Sequence, residues 1–133
     1  METFVCRVEE GPGQRYLEAR VAVVGEDLVV AVGGGERPHV GCAVLATPYP
    51  AKGDAEGWSA SCSVLTIPPH KEEPIARGIA TRLAAGLGRV TVVTAGVHDD
   101  DIDAEGIRLY LKLGEELADK LLASVGPIEC SQR

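Results

Sequence analysis

The hydrophobic period of this chain changes at Pro68-Pro69, and that change limits the folds open to it. Ahead of the two prolines the apolar residues alternate or cluster in short β-branched runs, the pattern of strands. Behind them Ile75, Ile79, Leu83 and Leu87 recur every fourth position, the pattern of one helix face. A chain that places its strands first and most of its helix last builds an α+β domain rather than a doubly wound α/β sheet. With 133 residues it buries about two-thirds of its unfolded surface, enough for one core, so residues 1–133 are expected to form a single domain.

The strand-like runs are residues 3–9, 15–24, 28–32, 40–46 and 58–66. Gly11-Pro12-Gly13 and Gly25-Glu26-Asp27 separate the first three and are too short for anything but antiparallel returns. Residues 33–39 and 47–57 link the next two. A helix is expected over about residues 71–85, with Pro74 in its first turn and Gly86 and Gly88 ending it. Residues 89–95 (RVTVVTA) are apolar and β-branched on both faces, which suits a central strand. The last helix opens at Asp103 as N-cap, with Ile102 and Ile107 as a hydrophobic staple, and runs to about Val125 with Gly114 on its apolar stripe. The expected fold is therefore an antiparallel β-meander of about six strands with two packed helices.

Charge and cysteine usage exclude several classes of function. Thirteen basic against twenty acidic residues leave a formal charge of -7, which repels nucleic-acid backbones and anionic lipid surfaces. No apolar stretch approaches the length of a membrane span. Cys6, Cys42, Cys62 and Cys130 form no CxxC pair, and no secretory pattern precedes them, which together point to a reducing cytoplasm. Cys42 and Cys62 fall inside expected strands as small apolar residues, with Cys6 similar and Cys130 in a tail. No Ser-His-Asp order, nucleophile elbow or phosphate-binding P-loop occurs.

The chemistry is concentrated at element ends. His39 follows the third strand, His70 precedes the first helix and His98 follows the sixth strand. If strands three to five form a meander and the sixth runs parallel to the fifth, all three histidines share one rim. That rim admits an anion site: backbone amides of Gly33-Gly34-Gly35, the helix opening after His70, and the charges of Arg37 and Lys71 suit a phosphate. It also admits a metal, with His39, His70 and His98 as ligands for zinc, although no short His-His spacing is present. The helix-terminus argument favours the anion. A third reading takes the glycines as a turn, the histidines as solvent-facing junctions and the aspartates as a helix entrance, leaving an assembly module without a ligand. A homodimer is expected, because a small sheet has two edges to cover.

The same segments carry a resemblance. Residues 33–46 (GGGERPHVGCAVLA), residues 63–102 and the closing helix resemble the LpdD-like domain, a match spanning roughly residues 19–125 and strongest in PHVG, PHKE and AGVHDDDI. The resemblance implies a fold like that of proteasome assembly chaperones. It also implies a non-catalytic subunit that binds prenylated flavin mononucleotide, or FMN, and supports an aromatic-acid decarboxylase. On that reading Gly34, Gly35, Arg37, His39, His70, Lys71 and His98 hold the phosphate end. The flavin ring needs an apolar slot, and Trp58 is the sole large ring available to flank it.

Overall fold

A computed structural model describes residues 1–11, 15–53, 56–69 and 72–127. Six strands, β1 (Glu2–Glu10), β2 (Arg15–Val24), β3 (Asp27–Gly35), β4 (Cys42–Pro50), β5 (Trp58–Thr66) and β6 (Thr91–His98), form one sheet. Two helices, α1 (Glu73–Leu87) and α2 (Ala104–Ser124), complete the α+β architecture. Among the described residues no helix is long and apolar enough to cross a membrane.

The sheet order is β1-β2-β3-β6-β4-β5, mostly antiparallel, with β6 parallel to β3 and antiparallel to β4. The expected direct pairing of the third and fourth strands is thus replaced by the insertion of β6 between them. A link of a few residues does not force its two strands to be neighbours. Two inter-strand steps are about 10 Å, and residues 36–41 cover that with ease at about 3.3 Å each. What selects the central place is β6 itself, because a strand apolar on both faces loses most when left at an edge. Strand directions survive the rearrangement, so the ends of β3, β5 and β6 and the start of β4 still meet at one rim.

Both helices cover the same face of the sheet. Leu17, Val21, Val30, Val44 and Val93 point into that layer and are almost wholly buried. Helix α1 packs over β4, β5 and β6, and α2 over β1, β2 and α1. Ile79, Leu83, Leu113, Leu117 and Leu121 fill the space between the layers. Pro74 lies in the first turn of α1, and Gly88, in the left-handed region at φ 67°, ends it. Gly86 does not end the helix. It lies inside the last turn, where a Cβ would come within 2.7 Å of Leu122 Cδ2, and so it serves the approach of the two helices. Gly114 does the same from α2, facing Ile75. Cys42 is buried in the core, while Cys6 and Cys62 are half-buried and Cys130 lies outside the described residues.

One contact ties the fold to the rim. Gly33 and Gly96 are direct neighbours across the parallel β3-β6 pair, and Pro38 and His39 lie against them. A Cβ on Gly96 would stand 1.7 Å from the His39 carbonyl oxygen. The chain leaves β3 at Gly35, rounds the end of β6 and returns along its other side, with amides of Arg37, His39 and Gly41 donating to His98, Gly96 and Ala95.

Gly96→Ala is expected to cost about 1–3 kcal/mol by overpacking, read as a lower urea midpoint, with the 36–41 loop displaced in amide chemical shifts. Gly78, exposed in α1 with open space where its Cβ would stand, gives the opposite sign. Gly78→Ala should raise stability by about 0.5–1 kcal/mol in the same assay.

Candidate functional site

The rim encloses a cavity of about 360 Å³, a size typical of small-molecule sites. Its walls come from five places: residues 39–41, the approach to α1 with Ile67, Pro68, Pro69, Glu72 and Ile75, the end of β6 from Val97 to Asp99, the entry to α2 at Ile102, and the first turns of α2. The Pro68–Pro69 peptide is cis, and both prolines line the cavity.

The cavity exists because α2 is rotated relative to the simplest reading of its apolar stripe. Tyr110 and Leu113 turn into the core, while Ile107 (39% exposed) and Leu111 (40% exposed) face the hollow. Asp103 caps the helix as expected, its Oδ1 accepting from the Gly106 amide at 2.8 Å. Ile102 and Ile107, the expected staple, both line the cavity. Apolar side chains that a helix would normally bury are left instead as the wall of an open space.

Two buried carboxylates stand in this largely apolar wall. Glu72, only 6% exposed, precedes α1 and lies 3.1 Å from His39 Nε2 through its Oε1. Its approach needs Gly41, where a Cβ would sit 2.8 Å from Glu72 Oε2. The other nitrogen of the same ring, His39 Nδ1, faces the Arg37 carbonyl at 3.2 Å. Both ring nitrogens therefore face oxygen atoms, one of Glu72 and one of the Arg37 backbone.

Asp99, 8% exposed, is held from three sides. Its Oδ1 accepts from the Glu36 amide at 2.9 Å, its Oδ2 accepts from the Tyr110 hydroxyl at 2.6 Å, and Arg15 Nε stands 3.8 Å away. Gly35, at φ 74°, makes room for it, since a Cβ there would meet Asp99 Oδ1 at 2.6 Å. Burial and then the hydrogen bond to Asp99 push the Tyr110 phenol well above its ordinary value. At the solvent edge Arg37 and His98 converge on Asp100, with His98 Nε2 3.0 Å from Asp100 Oδ1 and the Arg37 guanidinium on the same oxygen. Hydrogen bonds from His98 and Arg37 hold the Asp100 carboxyl below the usual carboxylate range.

Of the residues singled out in the sequence, His39 and His98 share the cavity wall, and Arg37 lies beside His98, 3.4 Å from its Nε2. His70 and Lys71 lie outside the described residues. Gly34 and Gly35 stand behind the wall. Gly34 is pressed on the Tyr16 carbonyl, where a Cβ would come within 2.1 Å, and the first amide beyond the glycines serves the carboxylate of Asp99. Trp58 packs on Gly88 at the far end of β5, a strand length from the rim, and does not flank the cavity. Among the described residues no group of three or more His, Cys, Asp or Glu side chains is placed to hold a metal ion. Sequence reasoning missed Glu72 and Tyr110 as parts of the site, and it placed Asp99 on the rim only as one of the Asp99-Asp100-Asp101 run, without its inward turn. Glu72 sits in PHKE and Asp99 in AGVHDDD, so the signal was present, but which acid turns inward depends on Gly41 and Gly35 across the gap.

The profile of the prenylated flavin chaperone LpdD-like domain matches residues 11–126, and the chain belongs to that family. The fold is that of proteasome assembly chaperones. A crystal structure of a chaperone complex for yeast 20S proteasome assembly superposes with a TM-score of 0.68 at 16% identity, covering 94% of this chain and 98% of that one. No curated protein matches the sequence.

Tyr110→Phe leaves Asp99 Oδ2 without its phenolic donor and should cost about 1–3 kcal/mol. Because the folded phenol is raised above 10.0, deprotonation favours the unfolded chain, so the contribution of Tyr110 to stability is constant below about pH 10 and falls above it. Ultraviolet titration should show one tyrosine that ionises only as the fold opens, and Tyr110→Phe should abolish that step.

Proposed function

We propose that this protein is a non-catalytic maturation subunit that binds prenylated flavin mononucleotide at the rim cavity and delivers it to an aromatic-acid decarboxylase in the cytoplasm. One observation carries the reading: the segments that bear the resemblance come from distant parts of the chain, yet His39, Val40 and Gly41, Pro69 and Glu72, and Val97, His98 and Asp99 all contribute walls to one cavity. Family membership names the cofactor; the cavity offers a place of the right character for it. Its lining is mainly aliphatic, which suits a ring system bearing an isoprenoid substituent.

The roles follow from position. His39 and His98 line the cavity, and Arg37 beside His98 supplies positive charge for the phosphate end. Gly34 and Gly35 act from behind, as the backbone that places Asp99. When bound, the cofactor brings the azomethine-type reactivity that its decarboxylase uses; this chain's own residues orient it, exclude water from its ring and release it. No residue here is assigned a proton transfer to substrate. Delivery calls for a docking surface, and the sheet face left bare by the helices is available both to a second copy of the chain and to the decarboxylase.

Anaerobic titration with prenylated FMN should produce a saturable change in flavin absorbance, weakened at least about tenfold, or 1.4 kcal/mol, in a His39→Ala, His70→Ala double variant. The loaded protein should also speed the activation of an apo-decarboxylase over free cofactor. An unchanged spectrum and no acceleration would refute the chaperone reading.

A further inference from the structure

The described wall of the cavity is poorly furnished for a phosphate. Among the described lining residues there is no lysine or arginine, while Glu72 and Asp99 are both buried in the wall. Each is already engaged: Glu72 with His39, and Asp99 with Tyr110, the Glu36 amide and Arg15. Both carboxylates are thus held by the protein's own donors, which are not turned to a ligand. A phosphate pushed into this space would lose its hydration beside two buried carboxylates whose donors are already engaged, which low local dielectric makes more costly still.

The apolar part of the wall points the same way. Val40, Ile67, Ile107 and Leu111 are all exposed large hydrophobic residues, and all four border this one cavity. Exposed apolar side chains scattered singly need no explanation, but a ring of them around a hollow marks a surface that an apolar group covers. Arg37 stands outside the hollow, paired with Asp100 in solvent, and Arg15 is held by Asp99.

Resting on the flavin reading above, we infer that the cavity takes the cofactor ring first, selecting an uncharged planar group with its aliphatic substituent, while the phosphate stays in solvent beside Arg37. Affinity then comes from the hollow and not from the anion. The exposed Arg37 contact is worth little, because solvent and salt screen it and Asp100 competes for it.

The test compares prenylated FMN with the product left by phosphatase treatment, which differs only in lacking the phosphate. The dephosphorylated form should bind within about fivefold of the intact one, the range of a screened surface pair. Orthophosphate should not displace either form. Leu111→Trp and, separately, Ile107→Trp fill the hollow from exposed positions and should weaken both forms by at least about tenfold, with thermal melts confirming the fold. Loss of binding on dephosphorylation with the intact form retained, displacement by orthophosphate, or normal affinity in both Trp variants overturns the inference and leaves the flavin reading standing. Binding of the dephosphorylated form alone refutes prenylated FMN as cargo and upholds the ring-first cavity. Failure of both forms refutes the two together.

Discussion

The close approach of the 36–41 loop to the end of β6 is the contact on which the rest of the site depends. It requires hydrogen at the Cα of Gly33 and Gly96, which stand side by side in the parallel pair and leave a trough for Pro38 and His39. With any larger residue at Gly96 the loop would have to lift, and His39 would leave both Glu72 and the cavity wall. The glycines of this rim thus act by absence. Gly33 and Gly96 admit a loop, Gly41 admits the Glu72 carboxylate, and Gly35 admits Asp99.

This changes what the run of three glycines means. A glycine-rich turn beside a helix opening invites a reading as a cradle for an external anion. Here the amide after the turn is committed to an internal anion, the carboxylate of Asp99, whose other oxygen is held by Tyr110. The structure spends its capacity for binding negative charge on holding its own acid, which braces the end of β6 against the start of α2. What it leaves for a ligand is mostly hydrocarbon, bordered by two imidazoles.

The cavity also explains an anomaly in α2. Its apolar stripe is wider than the core can use, so Ile107 and Leu111 are left beyond the packed layer while Tyr110 enters it. Packing alone would favour a rotation that buries the aliphatic pair and exposes the phenol. The hydrogen bond between Tyr110 and Asp99 holds the opposite arrangement, and the open apolar wall follows from it. Site and fold are coupled here through one polar contact under the helix.

Much of this was legible in the residues alone. Period changes, turn glycines, Pro74 and the Asp103 cap set the element order and the α+β class, because these signals act within a few residues of one another. Strand direction followed too, so that His39 and His98 were placed on one rim. The insertion of β6 between β3 and β4, the inward turn of Glu72 and Asp99 and the remote position of Trp58 were decided only by the tertiary structure. Each depends on contacts between segments far apart in sequence, where the space left by a glycine on one strand determines what a residue on another can do, and no local pattern records that space.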